Sequence, residues 1–371
     1  MIIRPVTVND YDALWQLSHH TGIGFTSLHP DKKTIKTKIE RTIAAFSSDT
    51  PADEALYLFV MEHSQSGQVV GICGIESAVG LSNPWYNYRI EKQVHSSTEL
   101  GIYSDIETLS LCSDHTGHSE LCTLFLMPAM RRSYHGHLLS KSRFLFMAAH
   151  TQRFSDNIFA ELRGYSDLNG ESPFWNGLGR HFFHMDFNDA DEHVGSSPHF
   201  ITDLMPRHPI YTNLLPKAAR TIIGQTHDNT VPARKMLESE GFEYNHYINI
   251  FDAGPLLDAK LKAIRTVKES QQMTVHVDDK QHSDLTPWLL ANGQRDNFRC
   301  ISGSISLASH DAITINSSQA KALQVTTGET LTLSPLKQWE IINAEPTRQK
   351  HTTPKKPDNP AMHVSTAEKE C

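Results

Sequence analysis

The sequence predicts an α+β protein with a central mixed sheet and a small C-terminal β-barrel domain. Three observations support this prediction. Residues 120–149 have the pattern of a buried strand, a short basic loop and a long helix. Amphipathic helical patterns alternate with apolar β-like runs through the first 254 residues. Short β-like runs separated by turn residues then fill residues 271–339, which is typical of a small barrel.

The N-terminal elements follow from hydrophobic periodicity. Ile35, Ile39 and Ile43 recur every four residues, which is the spacing of one helix face. The apolar runs 55–62 and 68–77 are separated by a polar turn and therefore predict a β-hairpin.

Composition excludes several classes of protein. The chain has 371 residues, 39% of them hydrophobic and 20% charged, as in ordinary globular proteins. A net charge of −8 argues against general binding to nucleic acid or membrane, so phosphate binding must be local. The five cysteines form no CxxC pair, which argues against a zinc site. Arg4 stands where a signal peptide would be apolar, so we expect a cytoplasmic protein.

Four segments follow from these patterns. Residues 1–254 form the main α+β region with insertions, and residues 255–270 have apolar spacing that predicts a bridging helix. Residues 271–340 form the predicted small β-barrel domain. Residues 341–371 are polar and proline-containing, and they predict a disordered tail.

The segment 120–149 has the features of a phosphate-binding element. The strand 121–126 is stopped by Pro128, and a basic loop with Gly136 leads into the helix. Free backbone N–H groups and the helix dipole favour an anion at such a helix start. No GxxxxGK[ST] motif is present, and no GxGxxG has the Rossmann spacing, so the common nucleotide motifs are excluded.

The loop resembles the acyl-CoA-binding motif R-x-x-G-x-G/A of the GNAT N-acyltransferases. It reads RRSYHG over residues 131–136, and Tyr134 stands where the motif has its first glycine. This departure could crowd the approach of the backbone to the phosphates. The resemblance implies a GNAT-like acyl-CoA N-acyltransferase fold in which Arg131, Arg132 and Gly136 bind the CoA part of the donor.

Further segments resemble the arginine N-succinyltransferase family. They occur in the family's order over about residues 1–340, and they are 85–89, 113–126, 138–149, 172–187, 204–211 and 224–227. The resemblance implies succinyl transfer from succinyl-CoA to the α-amine of L-arginine, the first step of an arginine degradation route. It implies succinyl-CoA as co-substrate, with no metal and no permanently bound cofactor.

By the same resemblance, His227 is the catalytic proton donor and Leu124 is a succinyl-CoA contact. Histidine suits the first role because its ordinary pKa of about 6.5 allows proton transfer near neutrality. His227 also precedes a helical pattern that has Pro232 near its start. A backbone N–H near Leu124 on a splayed strand can stabilise the thioester oxygen.

Several alternatives stay open from the sequence. Candidates for the succinyl carboxylate are Arg89, Arg163 and Arg180, and candidates for the substrate guanidinium are Asp114, Glu120 and Glu161. The amine could be ornithine in place of arginine, or the chain could be a non-catalytic module that senses CoA or arginine. We expect only small-molecule partners, without nucleic acid or membrane, and a homo-oligomer is left open.

Overall fold

A long mixed β-sheet forms the framework of the protein. The computed structural model describes residues 1–22, 26–167, 170–187, 189–190, 203–279 and 287–336. Within these ranges the sheet holds sixteen strands, in the order β14-β15-β11-β16-β12-β13-β1-β2-β3-β6-β7-β10-β9-β4-β5-β8. The strands are β1 (Ile2–Pro5), β2 (Leu56–Glu62), β3 (Val69–Glu76), β4 (Asn87–Ser97), β5 (Ile102–Cys112), β6 (Ser119–Leu126), β7 (Asn157–Glu161), β8 (Ile210–Tyr211), β9 (Glu243–Ile248), β10 (Pro255–Lys260), β11 (Gln271–Val277), β12 (Trp288–Ala291), β13 (Cys300–Gly303), β14 (Ser306–Leu307), β15 (Ala312–Ile315) and β16 (Thr330–Pro335).

Helices pack on this sheet. They are α1 (Tyr11–Ser18), α2 (Lys32–Ser47), α3 (His135–Ala149), α4 (Arg180–Phe183), α5 (Lys217–Thr221), α6 (Val231–Glu238), α7 (Arg265–Lys268) and α8 (Ser317–Leu323), and a π-helical segment, Trp175–Gly179, runs into α4. None of the helices in the described ranges is long and apolar enough to cross a membrane.

Local signals in the sequence account for the N-terminal elements. The Asp31 carboxylate accepts the Thr34 N–H at 2.6 Å and so caps α2, whose Ile35 and Ile39 are buried. The predicted hairpin is confirmed, since β2 and β3 pair antiparallel with Tyr57 opposite Ile75. Both strands are buried almost throughout, because the elements packed on the sheet cover both of their faces.

Helix α3 is the central helix of the main core. Its residues 138–147 are all buried, so most of the helix surface packs against protein. The Phe146 ring lies 5.1 Å from each of the rings of Tyr57, Phe59 and Phe298. These edge-to-face and tilted contacts fix α3 against β2, and they position the start of α3 beside the end of β6.

The predicted bridging helix over 255–270 is wrong for its first half. Residues 255–260 form strand β10, which pairs antiparallel with β7 on one side and β9 on the other. Only a 3-10 turn at 261–263 and the four-residue α7 are helical. Leu256 and Leu257 are both buried, and such a continuous apolar run cannot be distinguished from a helix face by periodicity alone.

The C-terminal strands form one end of the same sheet. β11 pairs parallel with β15 and antiparallel with β16, and β12 joins β16 to β13. The link to the main region is the β13–β1 pair, with Ile3 opposite Cys300. The pairings form a continuous ladder, and closure into a barrel stays a prediction. The predicted tail, 341–371, lies outside the described residues.

A buried ionic network joins α3 to the C-terminal part of the chain. Glu240 is 1% exposed and accepts from Lys141 of α3 at 2.8 Å and from Arg265 of α7 at 2.7 Å. Its second oxygen accepts the Thr266 N–H at 2.8 Å. Lys141 also donates to the carbonyl of Leu336, next to β16. The network therefore satisfies every buried charge it contains, as buried charges require.

We predict that Glu240→Gln lowers the free energy of unfolding by about 3 kcal/mol, because it leaves the buried Lys141 without a carboxylate and Arg265 with Glu269 as its carboxylate partner. Urea denaturation measures this change. The control is Glu238→Gln, which removes an exposed ion pair with Arg234 and should cost less than about 0.5 kcal/mol. Equal effects of the two variants would contradict the assigned role of Glu240.

Candidate active site

The candidate site is a cavity between the diverging strands β6 and β7. These parallel strands pair only at Ser119 with Ile158 and at Glu120 with Phe159. Beyond these pairs, β6 stays hydrogen-bonded to β3 and β7 to β10, so the sheet opens between them. A cavity of about 490 Å³ fills the opening and is lined by residues 120–125 and 160–163 from the two strands.

A β-bulge shapes the β6 wall of the cavity. Thr123 and Leu124 together oppose one residue of β3, Cys73, and Thr123 has a φ of +54°. From α3, the guanidinium of Arg143 donates to the carbonyls of Gly74 (3.3 Å) and Cys122 (3.4 Å), which form the last regular pair before the bulge. Arg143 therefore supports the strand where it leaves the regular ladder.

Of the predicted CoA-binding residues in the turn before α3 and in its first turn, only Arg131 lines this cavity. Arg131 lines the cavity, donates through Nε to the Leu126 carbonyl at 2.9 Å, and stands 5.8 Å from the Phe125 ring. Arg132 is exposed and does not line the cavity. Gly136 lies in the first turn of α3, and a Cβ added there would meet nothing within 4 Å. No side chain caps the start of α3.

His227 lies at the rim of the cavity, held by the end of β7. Thr226 bridges Gly164, and the His227 N–H donates to the Arg163 carbonyl at 2.8 Å. The Asn229 N–H donates to Nδ1 of His227 at 3.1 Å, so the proton of the neutral ring is on Nε2. Desolvation, together with the charge of Arg163, lowers the pKa of His227.

Neighbours of His227 continue the cavity wall. Asn229, Thr230, Ala233 and Leu237 line the cavity from the 3-10 turn after His227 and from α6. His227 itself is half-buried beside this wall and is not a lining residue. A substrate atom at the mouth of the cavity would therefore face the loop that carries His227.

The cavity also contains buried acidic groups. Glu120, Glu161 and Asp252 line it. Burial raises the pKa of Glu161 to about 7, against hydrogen bonds from Asn249 and Asn87 that lower it. Burial and the nearby charges of Glu161 and Glu76 raise the pKa of Glu120 well above its ordinary value. Burial also raises the pKa of Asp252, although this carboxylate accepts the N–H groups of residues 164 and 254.

Two family models match this chain, one in its main region and one in its C-terminal strands. Residues 1–266 match the family model for the arginine N-succinyltransferase beta subunit, and residues 271–335 match the model for its C-terminal domain. The chain belongs to the arginine N-succinyltransferase family. It is accordingly an acyltransferase.

Individual relatives cover nearly all of the chain. The arginine N-succinyltransferase of Escherichia coli O139:H28 (strain E24377A / ETEC) is 46% identical over 334 residues, which are 90% of this chain and 97% of the relative. That of Escherichia coli O17:K52:H18 (strain UMN026 / ExPEC) is 48% identical over 302 residues, 81% and 88% of the two chains. A solved structure, that of the arginine/ornithine succinyltransferase subunit AI from Pseudomonas aeruginosa, has a TM-score of 0.83 and 35% identity, and covers 91% of this chain and 99% of its own.

For an arginine N-succinyltransferase, the charge candidates from the sequence now separate into two groups. Arg89 forms ion pairs with Glu91 and Asp114, and Asp114 also accepts from Tyr247. Arg180 forms an ion pair with Asp186. These residues do not line the cavity, whereas Arg163, Glu120 and Glu161 do. Arg163 donates to the Ser166 hydroxyl at 2.7 Å.

The sequence analysis did not identify several residues that line the cavity between β6 and β7. Arg143 is a charged residue on a helix whose neighbours are apolar, and that contrast was a signal that could have singled it out. Asp252 and Asn249 carry no such signal, because the turn after β9 reaches the cavity only through the sheet topology. Cys122 lines the cavity, and desolvation raises the pKa of its thiol to about 12, which does not suit a nucleophile.

The acidic wall of this acyltransferase predicts a pH-dependent stability. The pKa of Glu161 is higher in the folded than in the unfolded state, so its destabilising ionisation sets in as pH rises from about 4.5 through about 7. Glu161→Gln keeps the side-chain shape without the charge. The variant should gain roughly 2 kcal/mol of stability relative to wild type between pH 5 and pH 8.

Thermal or urea unfolding at both pH values measures the effect. The exposed Glu99→Gln is the matched control and should follow the wild-type profile at both pH values. A stability difference between Glu161→Gln and wild type that does not change with pH would contradict the ionisation argument.

Proposed function

We propose that this chain transfers the succinyl group of succinyl-CoA to the α-amine of L-arginine, giving N2-succinyl-L-arginine and CoA. The observation that supports the proposal is the opened β6–β7 pair. It brings a strand with a bulge at Leu124, Arg131 from the turn before α3 and the loop that follows His227 to one cavity. Family membership supplies the chemistry that such a cavity serves.

The donor binds along β6 and α3. The CoA phosphates lie at the start of α3, where the N–H groups of the first turn and the side chains of Arg131 and Arg132 attract anions. Gly136 leaves open space there for close approach. The thioester lies beside Leu124, because the bulge turns the strand backbone toward the cavity. A preorganised backbone donor there stabilises the oxygen as charge develops.

The reaction is a direct transfer. The unprotonated α-amine attacks the thioester carbon, the C–S bond breaks, and an amide bond forms. The amine loses one proton and the departing sulfur gains one, so no net charge is produced in that step. His227 acts at the sulfur, where its Nε2–H donates a hydrogen bond to the developing thiolate while Nδ1 is held by the Asn229 N–H. The thiolate then takes up the proton that the amine loses.

The wider setting of this function is also proposed. The α+β mixed sheet fits a GNAT-like acyl-CoA N-acyltransferase fold with a C-terminal β-barrel domain near 271–340. The separate family matches to 1–266 and 271–335 support a boundary near residue 270. We place the protein in the cytoplasm, acting in arginine catabolism on small-molecule substrates, and a homo-oligomer is compatible with this function.

Removing the His227 imidazole should abolish most turnover. We predict that His227→Ala lowers kcat by about 10²-fold or more, which is the usual effect of losing an acid–base group. CoA release from succinyl-CoA with saturating L-arginine measures kcat. The exposed His276→Ala on β11 is the control and should keep wild-type kcat. A His227→Ala variant with near wild-type kcat would rule out the assigned role.

Ornithine is a second candidate acceptor, because the Pseudomonas relative is named for both amines. We predict that kcat/KM for L-arginine exceeds that for L-ornithine by at least about tenfold, since the planar guanidinium of arginine presents a fork of donors that the δ-ammonium of ornithine lacks. Initial rates with each amine at fixed succinyl-CoA measure the ratio. A higher kcat/KM for ornithine would overturn arginine as the substrate.

A further inference from the structure

Three glutamates form a row across the middle of the sheet. Glu76 of β3 pairs with Glu120 of β6, and Glu120 pairs with Phe159 of β7. Glu161 follows Phe159 by two residues, so the two side chains lie on the same face of the strand. The three carboxyl groups therefore lie on one face, on three adjacent strands.

Within the described ranges, only the first glutamate of the row is paired with a cation. Glu76 is held by both terminal nitrogens of Arg41, at 3.2 Å and 2.7 Å. Glu120 is 8% exposed, lines the cavity and has no hydrogen bond or ion pair with any residue in those ranges. Glu161 accepts from the neutral amides of Asn87 (2.8 Å) and Asn249 (3.1 Å).

Without a ligand, the ionised forms of Glu120 and Glu161 are electrostatically unfavourable. Two carboxyl groups close together in a poorly solvated wall repel each other, and each loses hydration when ionised. A cation between them removes both penalties. The amides of Asn87 and Asn249 each occupy one oxygen of Glu161, which fixes the plane of the carboxylate and leaves further lone pairs for a ligand.

We propose that Glu120 and Glu161 bind the guanidinium of the acceptor and thereby select arginine over uncharged amino acids of the same shape. The inference rests on the proposed function, which supplies arginine as acceptor. A guanidinium fits because it is planar, always charged and presents five donors in a fixed fork. The Arg41–Glu76 pair is the same recognition within the protein.

The dimensions agree with this placement. Glu120 lies at the closed end of the cavity, where the β6–β7 ladder stops, and Leu124 lies four residues further along β6. Because the bulge sets two residues of β6 opposite Cys73, this span matches the steps of β3 from Glu76 to Cys73, about 10 Å at roughly 3.3 Å per residue. A glutamate side chain and an extended arginine side chain, end to end, fill a distance of this order. The α-amine then lies near the thioester when the guanidinium lies between the glutamates.

The test compares L-arginine with L-citrulline, in which a neutral urea group replaces the guanidinium. Wild type should have a kcat/KM for arginine at least about 10²-fold above that for citrulline. Glu120→Gln and Glu161→Gln should each lower the arginine value by about tenfold or more, as expected for losing a charge-assisted hydrogen bond. The citrulline value and the KM for succinyl-CoA should stay within about twofold.

A structural role would give a different result. If a variant merely perturbed the cavity, kcat/KM for arginine and citrulline would fall by the same factor, and the inference would be overturned. Glu62→Gln is the control, because Glu62 is a partly buried glutamate of the same sheet that pairs with Arg4, away from the cavity. It should leave the arginine-to-citrulline ratio unchanged.

Binding measurements separate this inference from the proposed function. If wild type releases no CoA with any amine, the proposed function fails, and calorimetric titration of arginine and citrulline into the same variants still tests the site. Arginine binding that weakens tenfold or more in both variants supports the guanidinium site. Arginine binding that is unchanged in both variants overturns it.

Discussion

The divergence of β6 from β7 is the constraint on which the rest of the site depends. Each strand keeps a full partner on its outer side, β3 for β6 and β10 for β7, so opening the sheet sacrifices only the hydrogen bonds between the two. The edges that face the cavity are then available to a ligand, because backbone polar groups require partners. Arg143 supports the bulge from beneath, and Phe146 fixes the helix that carries Arg143.

The opening between β6 and β7 also places charged side chains of both signs around one cavity. Arginine residues reach the cavity from the turn before α3, from α3 itself and from the end of β7, whereas carboxylates lie at the closed end and on the β9–β10 turn. In a poorly solvated space, opposite charges on separate walls orient a ligand that carries both signs. An amino-acid acceptor with a terminal cation is such a ligand, and an acyl donor with a terminal carboxylate brings a further negative charge.

The features that could be predicted from the sequence are those that neighbouring residues determine. Asp31 caps α2, Ile35 and Ile39 face the core, and the strand–turn–helix at 120–149 appears where its residues require it. Resemblance supplied His227, and pairing to the end of β7 explains how a residue about 100 positions from β6 borders the same cavity. Ion pairs and strand pairings between residues far apart in the chain could not be predicted from the sequence. No local signal shows that Arg89 finds Asp114, or that the run 255–260 lies between two strands.

In the proposed binding mode, carboxylates at the closed end of the cavity also determine which nitrogen of arginine reacts. A guanidinium is protonated at any working pH and is a poor nucleophile, and two nearby carboxylates stabilise its charged form further. The α-amine has a pKa several units below that of the guanidinium, and in this binding mode it is the group left near Leu124. Holding the far end of the substrate converts attack on the thioester into an intramolecular step, whose geometry the cavity sets in advance. Selection of the α-amine and the rate of its attack on the thioester then both depend on the point where the β6–β7 ladder ends.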